Sequence, residues 1–212
     1  METSESVMNE IFELLKAKTS DELSWEEKCR QTRQAILLMR QESMKEHEQY
    51  LYAIRSYAVQ VGACQEGSSE EAQEWLLEWI EQHPEEGTDT TLDKRLEEIG
   101  WCYNRLSYVC EKRDKNYEKA ISYFKKHVAI IQRLYGDDSD YAGDELDELA
   151  EMYARSKDMK NACYYKKKSV EIYLDVSGAL EKWPKVLRPI VLFIAKTKEC
   201  MLLPIVHLFK KE

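Results

Sequence analysis

Apolar residues recur at helical spacing along most of this chain, and between Leu92 and Val176 one such pattern is written twice. In the first copy Leu92, Leu96, Ile99, Tyr103, Leu106 and Cys110 form a stripe at steps of three and four, with Gly100 beside Ile99. A charged turn over residues 112–116 follows, then a second helix marked by Tyr117, Ala120, Ile121, Phe124, Val128, Ile131 and Leu134 and stopped by Gly136. The second copy runs through Tyr141, Leu146, Leu149, Ala150 and Tyr153, turns at Lys157-Asp158, and returns through Ala162, Tyr165, Ser169, Ile172, Tyr173 and Val176. Ala120 and Ala162 stand 42 residues apart. Two helices that cannot bury their apolar faces alone, repeated at a fixed period, predict a stacked helical array.

Upstream the pattern continues more loosely. Val7, Ile11, Leu14 and Leu15 predict a short amphipathic helix over residues 4–18. Thr19-x-x-Glu22, Ser24-x-x-Glu27 and Ser68-x-x-Glu71 read as capping boxes, in which hydroxyl and carboxylate satisfy free amides at a helix start. The helix opening near Trp25 buries Trp25, Cys29, Thr32, Ile36 and Met39; the next buries His47, Leu51, Ile54, Ala58 and Val61, so residues 25–64 predict an antiparallel pair. A helix with Ala72, Trp75, Leu76, Trp79 and Ile80 on one side stops at His83-Pro84, because proline cannot continue the hydrogen-bond ladder. After Gly178 a basic apolar helix over residues 185–198 and an apolar run over 200–209, broken by Pro204, predict a cap for the last hairpin. The expected organisation is residues 1–90 as N-terminal helices with one weak hairpin, 91–178 as two strong hairpins, and 179–212 as a capping helix and tail, nine or ten helices in all.

Composition agrees with this and narrows the partners. Seven glycines and 4 prolines among 212 residues are too few for an all-β chain of tight turns. The formal charge is −9, with 20 acidic against 8 basic residues before Thr91 and 3 against 7 after Val176. Duplex nucleic acid, which needs a basic footprint, is not an expected partner. Six scattered cysteines without a Cys-x-x-Cys pair read as reduced core thiols. A polar, acidic start and the lack of any 18-residue apolar run give neither a signal peptide nor a membrane span, so the cytosol, or else the nucleus, is the expected compartment.

The order small residue, aromatic, turn, alanine, aromatic, with Tyr135-Gly136-Asp137-Asp138-Ser139-x-Tyr141 leading into Leu149-Ala150-x-x-Tyr153 and Asn161-Ala162, resembles the tetratricopeptide repeat. The 42-residue spacing is similar to the longer repeats of kinesin light chains. The likeness covers residues 92–176 well and 54–84 weakly. It departs at the first strong hairpin, where Gly100 and Ala120 are eight residues farther apart than Ala150 and Ala162, read as a longer turn. The resemblance implies an all-α array, a helical-hairpin α-solenoid with a C-terminal capping helix, acting as a non-enzymatic adaptor or scaffold for a protein or peptide partner.

The resemblance also implies where a partner lies. The first helix of each hairpin lines a concave wall, and residues one turn off its packing stripe face the hollow. Those are Lys94, Glu97, Glu98, Trp101, Asn104 and Arg105 in one hairpin and Asp144, Asp147, Glu148, Glu151 and Arg155 in the other. Glu97-Glu98 and Asp147-Glu148 stand where light-chain repeats often carry asparagines. A row of carboxylates with Trp101 as an apolar anchor favours a partner with basic segments. The alternative is an outer stripe of Lys125, Lys126, Lys166, Lys167 and Lys168 on the second helices, which together with the apolar C-terminal tail makes a regulatory subunit for RNA, a phosphopeptide or a membrane surface.

No catalytic motif stands in the sequence: there is no phosphate-binding glycine loop, no His-Glu-x-x-His and no Gly-x-Ser-x-Gly. His127 and Cys163 read as satisfied helix residues rather than zinc ligands, and neither a metal nor a cofactor is expected.

Overall fold

In a computed structural model the described residues are 5–16, 22–85 and 92–176, and they form eight helices. These are α1 (Glu5–Lys16), α2 (Trp25–Gln41), α3 (Glu48–Ala63), α4 (Ser69–Gln82), α5 (Leu92–Lys112), α6 (Tyr117–Tyr135), α7 (Asp140–Arg155) and α8 (Met159–Val176). The Thr19 capping box, the C-terminal capping helix, Cys200 and any ninth or tenth helix lie outside the described residues. The described residues form two compact units, one of α1 to α4 with the end of α5 from Trp101, the other of the start of α5 up to Gly100 with α6, α7 and α8.

In the first unit α1 turns Ile11 and Leu15 into the core and packs on α2. The α2 face is Cys29, Thr32, Ala35, Ile36 and Met39, all completely buried, as the spacing predicts. Trp25 departs from the prediction: it is 49% exposed, with the Lys28 ammonium 5.4 Å from its ring. It is the first residue of the helix, a turn before the core begins, so helical spacing alone overstates its burial. Ser24 caps α2 by accepting from Glu27 N, and Ser68 caps α4 by accepting from Glu71 N, both at 3.2 Å. α3 is buried more widely, through Tyr50, Leu51, Ala53, Ile54, Tyr57, Ala58 and Val61, because α2 and α4 both pack on it. Each large aliphatic side chain so enclosed contributes about 1.5–3 kcal/mol. His47, expected on that face, instead starts the helix, its Nδ1 accepting from Gln49 N at 3.2 Å.

Polar contacts fix how these helices meet. Arg33 on α2 forks onto both carboxylate oxygens of Glu71 on α4 at 2.7 Å, and Arg40 donates to Glu78 at 2.6 Å and to Tyr50 Oη at 2.7 Å. Arg113, just past α5, donates to the carbonyls of Cys64 and Gln65 at 3.1 and 2.7 Å, holding the turn after α3. Asp114 accepts from Ser69 Oγ at 2.6 Å and from Gln73 Nε2 at 2.9 Å, tying the first turn of α4 to the end of α5.

In the second unit the core is made by the start of the α5 stripe, up to Ile99, together with the stripes of α6, α7 and α8. Ile99, Ala120, Ala150 and Ala162 are completely buried. Gly100 is the small residue that lets α6 approach: a Cβ there would stand 3.2 Å from Ile130 and 3.4 Å from His127 Nδ1. Tyr153 and Tyr165 stack with rings 5.4 Å apart and nearly parallel. Gly136 ends α6 at φ +96°, and Ser139 starts α7 by accepting from Ala142 N at 3.1 Å. Tyr141, placed in the packing stripe by its spacing, is 62% exposed and pairs with Tyr135 across this loop, ring centres 4.8 Å apart. It lies in the first turn of α7, ahead of the stretch that α6 and α8 cover.

The extra length of the first strong hairpin is helix rather than turn. α5 continues 12 residues past Gly100, whereas α7 continues 5 past Ala150; the turns that follow are 4 and 3 residues long.

Candidate functional site

Two faces carry the residues that the sequence singled out, one in each unit. In the first unit α3 and the end of α5 run side by side in the same direction. Arg55 lies against Trp101, and about two helical turns further along, Gly62 lies against Tyr108, so both pairs share an offset of 46 positions. Gly62 is required there: a Cβ would stand 2.3 Å from the Tyr108 ring. On α5, Trp101, Asn104, Arg105 and Tyr108 fall at steps of three and four, which puts them on one half-buried face beside the core stripe.

The guanidinium carbons of Arg55 and Arg105 each lie 5.7 Å from the centre of the Trp101 ring. Arg105 Nη1 also donates to Asn104 Oδ1 at 3.2 Å. Among the described residues neither arginine has a carboxylate within ion-pair distance. Burial, and then the charge of Arg55, pull the Arg105 guanidinium below its ordinary value. The pair is therefore a concentrated positive site in a chain whose formal charge is −9. Arg55 was missed in the sequence because it belongs to a different helix, and only the parallel register brings it to the indole.

The acidic row of the second unit is largely matched by its own cations. Asp144 accepts from Tyr173 Oη at 2.6 Å, and Asp147 pairs with Lys166 at 2.5 Å. Arg155 holds Glu148 at 2.7 Å and Glu151 at 3.3 Å. Glu98 is 4.0 Å from Lys94, one turn back on the same helix, and Glu97 is exposed. Burial raises the phenol of Tyr135, and the charge of Glu97 adds to that.

The five lysines divide. Lys125 has its ammonium 5.5 Å from the Tyr153 ring and 5.9 Å from that of Tyr165, and its hydrogen bond to Tyr153 raises its pKa. It lines a cleft of about 590 Å³ with Tyr117, Ser122, Asp158 and Asn161. Lys166 reaches across to Asp147 on α7, Lys168 lies over Tyr164 at 5.0 Å, and Lys126 and Lys167 are exposed. His127 is buried with Nε2 3.2 Å from Glu145, and Cys163 is half-buried. Among the described residues no three His, Cys, Asp or Glu side chains gather as a metal site.

Helices paired into hairpins, with small residues where they meet, define an all-α helical-repeat fold. Residues 98–175 match the family profile described as tetratricopeptide repeat, and that stretch is a repeat of this type. Repeats of this family generally mediate protein–protein contacts and are typically non-catalytic. No curated protein matches the sequence. Among solved structures, the crystal structure of BtubC (BKLC) from P. vanneervenii matches over 97% of this chain and 89% of that one, at 14% identity and a TM-score of 0.41. No described helix is long and apolar enough to cross a membrane.

Proposed function

We propose that this chain is a non-enzymatic cytosolic adaptor that holds a segment of a protein partner on the face made by α3 and the end of α5. One observation carries the reading: Arg55 and Arg105 each lie 5.7 Å from the Trp101 ring centre, and among the described residues neither has a carboxylate within ion-pair distance. Half-buried like charges are unfavourable in the free protein, so an anion from outside relieves them while the indole supplies a flat apolar wall. A partner segment that pairs acidic with apolar side chains suits this face. The carboxylates of α7, engaged by Lys166 and Arg155, are less available to a basic segment.

The test is selection of peptides from a random library on the full chain, with a circular dichroism spectrum establishing that each variant is folded. The expected result is enrichment of Asp- or Glu-bearing sequences, lost in R55A/R105A and kept in E97K/D147K/E151K. Enrichment of basic peptides lost only in the triple lysine variant would move the site to α7 and overturn the reading.

A further inference from the structure

We propose that the anion recognised at the Arg55–Trp101–Arg105 site is a phosphomonoester on the partner, so that the partner is held after it has been phosphorylated and released when the phosphate is removed. This rests on the reading of the α3–α5 face as the partner-holding face and adds the chemistry of its ligand.

The argument begins with the number of charges. A carboxylate has two oxygens and one negative charge, and a single guanidinium fork satisfies it, leaving the second arginine uncompensated. A phosphomonoester carries about −1.5 to −2 charges at neutral pH on three terminal oxygens, which matches two guanidinium forks. Both cations here are arginines, whose planar donors suit phosphate better than the point charge of lysine does.

The way the arginines are held agrees. Each guanidinium carbon lies 5.7 Å from the centre of the indole, a cation–π contact that occupies no hydrogen-bond acceptor. Among the described residues no carboxylate takes up the guanidinium N–H groups. Asn104 takes one of them, from Arg105 Nη1 at 3.2 Å, which fixes that guanidinium and leaves the Asn104 amide NH₂ as a further donor. The half-buried setting of Arg105 weakens solvent screening, so a dianion gains more here than at an exposed arginine.

The rest of the molecule argues against a polyanion. RNA and anionic membranes are recognised by extended basic surfaces, whereas this site is a focus of two charges on a chain of net charge −9. Of the lysine stripe, Lys125 and Lys168 sit on tyrosines and Lys166 on Asp147. A single compact dianion on a peptide fits that distribution.

The experiment is fluorescence polarisation on the full chain with three degenerate peptide pools that differ only at a central position, fixed as phosphoserine, glutamate or serine. Pools with phosphothreonine and phosphotyrosine at that position establish which hydroxyl side chain is read. The expected result is binding of the phosphoserine pool at least about ten-fold tighter than the glutamate pool, in line with two charge-assisted forks against one. The serine pool should not bind, and R55K or R105K should each remove the preference for phosphate while keeping the charge. Lysine variants are used because they preserve the packing on Trp101 better than alanine does. Equal binding of the glutamate and phosphoserine pools overturns the phosphate inference and leaves the acidic-segment reading standing. Phosphoserine binding that is unchanged in R55K and R105K overturns the assignment to this site. Failure of every pool to bind overturns both.

Discussion

The contact between Asp114 and α4 offers a direct test of how the first unit is held together. Asp114 lies in the short connection after α5, and its two oxygens separately accept from Ser69 Oγ at 2.6 Å and Gln73 Nε2 at 2.9 Å. Both donors belong to buried residues, 6% and 7% exposed, so Asp114→Ala removes two charge-assisted bonds at groups with little access to water. Hydrogen bonds to a charged acceptor are worth about 1.5–3 kcal/mol each. The loss is partial, because Gln73 Nε2 still donates to Ser69 Oγ at 2.8 Å and the carboxylate itself is exposed. The expected destabilisation is therefore about 2–3 kcal/mol, or roughly 4–12 °C in Tm for a chain of this size. Asp114→Asn keeps one acceptor and turns a donor toward the other partner, so about half of the loss should follow. Urea unfolding read through tryptophan fluorescence reports on this region, since Trp75 and Trp79 are buried on α4. A change below about 0.5 kcal/mol for Asp114→Ala would refute the claim that this carboxylate fastens α4, as would Asn and Ala variants of equal stability.

Acid should act through Glu71, whose carboxyl is held below its ordinary 4.5 by hydrogen bonds and charge from Arg33. A depressed folded-state pKa stabilises fully above the unfolded value and is lost as pH falls through the folded one, so the contribution is present at neutral pH and disappears in the range below 4.5. With Arg33 42% and Glu71 29% exposed the effect is about 1 kcal/mol or less, and the gap between wild type and R33A in urea should close on acidification; a gap that persists counts against the pair. Burial pushes the Cys29 thiol up to about 12, with Cys64 next in effect, so iodoacetamide at pH 8 should leave Cys29 unmodified in the folded protein while the half-buried Cys163 reacts. Peptide mass spectrometry showing Cys29 alkylated as fast as Cys163 would contradict its enclosure.

How much of this was legible in the chain depends on the range of the interaction. The hairpins were, because Gly100, Ala120, Ala150 and Ala162 must be small where helices meet and their spacing is local. The caps at Ser24 and Ser68 were too, since each acts within three residues. Trp25 and Tyr141 were misjudged: periodicity gives the face of a helix but not how far along it the neighbouring helices reach. The site was half legible. Trp101, Asn104 and Arg105 could be placed on one face of α5, but Arg55 comes from α3, 46 positions earlier. The engagement of Asp147 by Lys166, across from α8 to α7, is likewise a consequence of packing that no local pattern announces.

The split of α5 between the two units bears on how the protein can be shortened or recombined. The helix is unbroken from Leu92 to Lys112, yet its residues up to Gly100 belong with one unit and those from Trp101 with the other. A fragment that begins at Leu92 keeps the whole helix but leaves Trp101 and Tyr108 without α3 and Cys110 without α4; a fragment that ends at Asn116 strands Leu96 and Ile99. Neither cut yields a closed core, so recombining this array repeat by repeat would require duplicating α5 rather than dividing the chain beside it.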